Sequence, residues 1–200
     1  MRKNLCLVAA GSLLLQPAIV RAETPKAQRD RVGIGDTLVY QAEMKAPAMG
    51  MKHRYQRKVT VTAVGETDFT ISFEVTEGTV PPGIPRKGED KMSFEDLISY
   101  DGWKIGEPRT EKTGSNSSVT TRLPDEEIKV GDKSYKCIVV ESKLTMSGGG
   151  MTTATKLWIA PDVPFTGSVR EEVVTEAVAP QGKVIISQSS ELLSTKRGGK

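Results

Sequence analysis

The chain has 200 residues, with 28 Lys or Arg, 25 Asp or Glu and a single histidine. Three of the basic residues, Arg2, Lys3 and Arg21, fall in residues 1–22, which hold no acid, so the remainder balances 25 basic against 25 acidic side chains. That balance excludes the overall cationic surplus by which a protein binds nucleic acid, and two cysteines, Cys6 and Cys137, are too few for a disulfide scaffold.

Residues 1–22 read as an export signal. Met1-Arg2-Lys3-Asn4 is basic, residues 5–15 are mostly apolar, Gln16-Pro17 breaks the run, and Val20-Arg21-Ala22 supplies a small-x-small style end. This is the pattern of a secretory signal peptide. The apolar run is too short to cross a bilayer, which takes roughly 20 residues. The expected product is exported, periplasmic or secreted, with no transmembrane segment after cleavage. Cys6 lies at the start of the apolar run rather than at its end, so no lipid anchor is expected. Cys137 is then left alone, and no intramolecular disulfide can form. Residues 23–35 are expected to be a polar N-terminal arm, 36–195 a single β-rich domain, and 196–200 a disordered tail.

From Asp36 onward the hydrophobic period is two. Leu38, Tyr40, Ala42 and Met44 alternate with polar residues, as do Tyr55, Val59, Val61 and Ala63. Phe69, Ile71, Phe73 and Val75 form the clearest series, each followed by a polar residue, which predicts a strand with one buried and one wet face. Gly65-Glu66-Thr67-Asp68 supplies the turn before it. Val80-Pro81-Pro82-Gly83-Ile84-Pro85 cannot be an interior strand, because proline donates no ladder hydrogen bond. Residues 93–98 read as a helical turn or a short strand, residues 103–105 as a short strand after an Asp101-Gly102 turn, and residues 106–118 as a polar loop. Strands are then expected at 119–123 and 128–130, on either side of Pro124, and at 134–146, 151–159, 168–178 and 183–195. About nine strands on short turns and little helix predict an all-β fold: an antiparallel meander curled into a half-barrel, barrel or sandwich.

Chemistry is sparse. His53 is the one histidine, and the sequence has no Gly-x-Ser-x-Gly elbow, no His-Glu-x-x-His, no Cys-x-x-Cys and no P-loop. No catalytic residue is assigned. Cys137 lies in the apolar run Tyr135-Lys136-Cys137-Ile138-Val139-Val140 and is expected to be buried. Lys52, Arg54, Arg57 and Lys58 form a local basic group, expected to be a solvated strand face. Asp125-Glu126-Glu127 reads as a solvated acidic turn. Met44, Met49, Met51 and His53 fall within ten residues, and on an extended chain Met49, Met51 and His53 share a face. Thioether and imidazole donors suit Cu(I), so Met49, Met51 and His53 are the candidate metal ligands, with Met146 and Met151 as possible additions. The alternative is that these methionines are apolar filler.

The stretch Gly131-Asp132-Lys133-Ser134-Tyr135-Lys136-Cys137, and above all the later Trp158-Ile159-Ala160-Pro161-Asp162-Val163-Pro164-Phe165-Thr166-Gly167, resembles a pattern in uncharacterised exported bacterial β-rich proteins. There a strand ending in Trp leads through Asp-Val-Pro and a glycine into the next strand. The chain is also distantly similar to the half-barrels of the lipoprotein-carrier class, which hold acyl chains on a concave apolar face. The resemblance implies a bacterial envelope protein of β fold and no catalytic residues. The function expected is an exported, non-enzymatic envelope protein, its partner a lipid, a lipoprotein or another envelope protein. Copper binding through Met and His, and a hydrolase with an unrecognised site, are the alternatives.

Overall fold

A computed structural model describes residues 29–94, 97, 103–114, 116–146, 150–179 and 182–199. The expected signal segment, Cys6 and most of the Asp101-Gly102 region lie outside these residues. Ten strands form one antiparallel sheet: β1 (Thr37–Ala46), β2 (Met51–Val64), β3 (Asp68–Gly78), β4 (Lys87–Ser93), β5 (Pro108–Thr113), β6 (Asn116–Val130), β7 (Lys133–Met146), β8 (Met151–Ile159), β9 (Ser168–Ala179) and β10 (Gly182–Lys196). Their order is β4-β3-β2-β1-β10-β9-β8-β7-β6-β5. The sheet curls without closing, so the fold is the half-barrel form of the expected meander. Among the described residues no helix is long and apolar enough to cross a membrane.

The two strands at the edges, β4 and β5, lie where the sequence pattern does not predict them. Their sequences, KGEDKMS and PRTEKT, carry almost no apolar alternation. Charged residues suit an edge strand, which must not offer its free backbone to another chain. Residues 106–118, expected to be a loop, therefore contain β5 and the start of β6. Residues 103–105 are not a strand. Pro124 does not divide the chain in two either: β6 runs through it, and the register with β7 slips between Leu123 and Glu126. Proline is tolerated at such an irregularity because the ladder is already broken there.

On β1 the alternation holds in full, with Leu38, Tyr40, Ala42, Met44 and Ala46 buried. We call the face they share the inner face. Phe69, Ile71 and Phe73 continue it on β3. On β2 Val59 and Val61 are buried, but Ala63 is exposed. A register shift between Val61 and Ala63 reverses the alternation, and Val64 packs on the core instead. Gly65 N–H donates to the Asp68 carbonyl (2.7 Å), closing the expected turn.

The core gathers where β1 begins and β10 ends. The β8–β9 connection folds back there, with Val163 and Phe165 fully buried. The Phe165 ring lies 6.4 Å from that of Phe69, which is itself 5.4 Å from Phe94. Gly167 adopts φ +68, and a Cβ at that residue would come within 2.8 Å of Ile159 and 3.1 Å of the Ala160 carbonyl, so only glycine fits. Asp162 in this connection pairs with Lys133 (3.0 Å). Trp158 buries its ring and donates its indole N–H to Glu126 (2.8 Å), the kind of partner a buried tryptophan needs.

β7 is covered on both faces. Tyr135, Cys137 and Val139 belong to the main core, and Val140, on the other face, packs with Ile159 under Trp103. Cys137 is buried as expected, and burial pushes its thiol up to about 11. Asp36 ties the start of β1 to the residues that follow β10. Its buried carboxylate accepts from the backbone N–H of Gly33 and of Gly198 (both 2.8 Å) and from Arg197 (3.2 Å). Lys196, Arg197 and Gly198, in the segment set down as a tail, thus end β10 and clasp the start of β1.

Candidate functional site

Antiparallel register sorts the inner face into rows, because directly opposed residues point to the same side. One row runs Tyr55, Ala42, Ser190, Glu171, Leu157 and Val140 across β2, β1, β10, β9, β8 and β7. The next, nearer the β1–β2 turn, runs His53, Met44, Gln188, Val173, Thr155 and Ser142. Toward β1 and β2 the rows mix Tyr55, Ala42 and Met44 with His53, Gln188 and Ser190. The half toward β6 carries hydroxyls, with Ser118 and Thr120 bonded to Ser142 (3.3 and 3.0 Å) and Thr153 to Thr175 (3.2 Å).

Trp103, 1% exposed, covers the inner face of β7 and β8. It is fixed by its own indole N–H to the Glu107 carbonyl (3.0 Å), by Arg122 donating to its carbonyl (2.7 Å) and by Arg109 stacked 4.2 Å from its ring. Between this cover and Ile84 of the β3–β4 loop the sheet is left open. The result is a small cleft with a cavity volume of about 20 Å³, where Ala42, Met44, Tyr55, Ile84 and Val173 meet the polar residues Glu43, Glu171, Gln188, Ser189 and Ser190.

Glu171 is the unusual group in that cleft. No hydrogen bond or ion pair among the described residues is recorded for its carboxyl. Burial alone pushes its pKa up to about 7. One row away, Tyr40 donates to the Ser168 carbonyl (3.1 Å), and burial drives its phenol far above the ordinary range. Arg57 stands opposite Tyr40 and stacks 4.1 Å from the Phe73 ring; burial lowers its pKa. That ring in turn covers Gly88, where a Cβ would clash at 2.6 Å. The basic group of the sequence is therefore divided. Arg57 turns inward, whereas Lys52 pairs with Glu43 (3.7 Å) and Lys58 with Glu74 (3.4 Å) on the outer side.

The candidate metal ligands fall in two places. Met51 and His53 lie on β2 with side chains to the inner face, His53 directly opposite Met44. Met49 belongs to a 3-10 turn, Pro47–Met49, and is 45% exposed, so strand alternation does not extend to it. Met146 and Met151 face each other at the β7–β8 turn. Four strand spacings, about 19 Å along the sheet, separate β8 from β2. His53 Nδ1 is buried with no hydrogen-bond partner among the described residues. Among the described residues, no three His, Cys, Asp or Glu side chains converge. The acidic cluster is occupied, Asp125 by Arg122 (2.8 Å) and Glu126 by Lys156 (3.1 Å) and Trp158.

A second depression, about 730 Å³, spreads over β2, β3 and β4 among Lys58, Thr60, Ser72, Glu74, Lys87 and Glu89. Its solvated charges make it ordinary surface. Glu171 and Tyr40 were not singled out from sequence. Glu171-Glu172 reads as two surface acids, and only the pairing with Ser190 and Leu157 reveals which one turns inward.

No protein-family model matches the sequence, and no curated protein matches it. Among solved structures, the chain is similar to one described as an exported protein with YmcC-like fold from Bacteroides fragilis, at 10% identity and TM-score 0.43, over 83% of this chain and 97% of that one. It is also similar to one described as a lipoprotein from Parabacteroides distasonis, at 14% identity and TM-score 0.41, over 82% and 96%. A third, an S-type phycobiliprotein lyase from Guillardia theta, has 9% identity and TM-score 0.34, over 88% and 100%.

Proposed function

We propose that this chain is an exported, non-enzymatic protein of the bacterial envelope that holds an amphipathic, lipid-like ligand on the inner face of its sheet. The reading rests on one observation: a buried carboxyl, Glu171, lies in a cleft where Ala42, Met44, Tyr55, Ile84 and Val173 stand beside Glu43, Gln188, Ser189 and Ser190. A ligand-binding site combines apolar walls with a few placed polar groups. The apolar walls take the hydrocarbon, and Glu171 takes a hydrogen-bond donor or a cation on the headgroup. The cleft holds only about 20 Å³, so it takes one end of such a molecule and leaves the rest on the open face of the sheet.

The test is organic extraction of the natively purified protein followed by mass spectrometry, together with titration by a fluorescent long-chain amine. A co-purified lipid and saturable probe binding that Val173→Asp abolishes are the expected results. A lipid-free protein that binds no probe overturns the proposal.

A further inference from the structure

The β1–β2 hairpin brings together three soft donors that its sequence order separates. Register sets Met44 opposite His53 and Ala46 opposite Met51, all on the inner face. Directly opposed residues have Cβ atoms about 4.5–5.5 Å apart, and diagonal ones remain within reach of long side chains. A thioether on three rotatable bonds can therefore meet the imidazole from either position.

We infer that Met44, Met51 and His53 form a binding site for Cu(I). Two features select this ion. His53 Nδ1 is buried and has no hydrogen-bond partner among the described residues, so this imidazole nitrogen is placed to ligate. The donor set is also neutral. Glu43, the acid nearest in sequence, is on the outer face, held by Lys45 (3.0 Å) and Lys52 (3.7 Å). Glu171 is separated from Met44 by β10. Two thioethers and an imidazole suit a soft monovalent ion, whereas Zn(II), Mg(II) and Ca(II) call for thiolate, carboxylate or additional imidazole ligands. Met49, in its exposed turn, is not a ligand. This inference is independent of the lipid reading, although Met44 also lines that cleft.

Anaerobic titration of the purified protein with Cu(I) against a chromophoric competitor tests it. One equivalent is expected to bind at micromolar concentration or tighter, with sulfur and nitrogen scatterers in the X-ray absorption spectrum of the unmodified protein. Met51→Leu and Met44→Leu remove sulfur and keep the apolar volume. Each, like His53→Gln, is expected to weaken binding on the order of 10- to 100-fold, and Met49→Leu to leave it unchanged. No binding at micromolar Cu(I), a spectrum without sulfur, or a loss for Met49→Leu as large as for Met51→Leu overturns the site.

Discussion

Where β1 begins and β10 finishes, Phe69, Phe94 and Phe165 pack ring against ring, the β8–β9 connection is buried, and Asp36 has donors on every side. Toward the β1–β2 turn the same strands leave Glu171 without a recorded partner, His53 Nδ1 unbonded and a cleft between Ile84 and the sheet. The contrast teaches that one alternating pattern serves both purposes. What differs is whether a loop folds back to cover the inner face. Buried polar groups that are satisfied stabilise a fold; those left waiting lower stability and remain available to a ligand.

That difference can be broken at its strong end. Phe69→Ala removes a fully buried ring from the aromatic cluster and is expected to cost about 3–5 kcal/mol, read as a lower urea midpoint. A loss under about 1 kcal/mol would deny that this end anchors the fold. At the open end the sign reverses. Because burial holds the Glu171 pKa near 7 rather than 4.5, the folded state keeps this proton longer than the unfolded chain does. Its contribution favours folding fully at pH below about 4.5 and is lost as pH rises toward 7. Glu171→Gln should remove that slope and raise stability at pH 8 by about 1–2 kcal/mol, with the cleft's partial opening to solvent counted in. Urea unfolding at pH 5 and pH 8 decides it, and identical slopes in the two proteins would sink the assignment. The smallest effect is expected at the surface. Lys133→Ala removes an exposed pair with Asp162 and a stack on Tyr135, and should change stability by less than about 1 kcal/mol.

The strands most legible in the sequence were those with one wet face, such as β1 and β3, because burial there imposes period two. β4 and β5 were not legible, since an edge strand is selected for charge and its pairing is contributed by a neighbour. Ala63 was misplaced because a register shift leaves no mark in composition. The site was legible in part. Met51 and His53 fall on one face as alternation requires, whereas Met49 lies in a turn, and it is Met44, across the hairpin, that completes the set. Glu171 could not be found without the order of the sheet.

That order has one seam unlike the rest. Every other neighbouring pair of strands is consecutive in the chain, but β1 lies against β10, Thr37 opposite Lys196. Two meanders, β1 to β4 and β5 to β10, can each zip up through local hairpins. Joining them requires closure over almost the whole described chain, the slow kind of contact in folding. The same seam puts the two ends of the domain side by side, clasped by Asp36. A short peptide from Arg197 back to Gly33, with new termini opened between β4 and β5, would yield a circular permutant in which the seam becomes an ordinary hairpin and the sheet is assembled in simple spatial order.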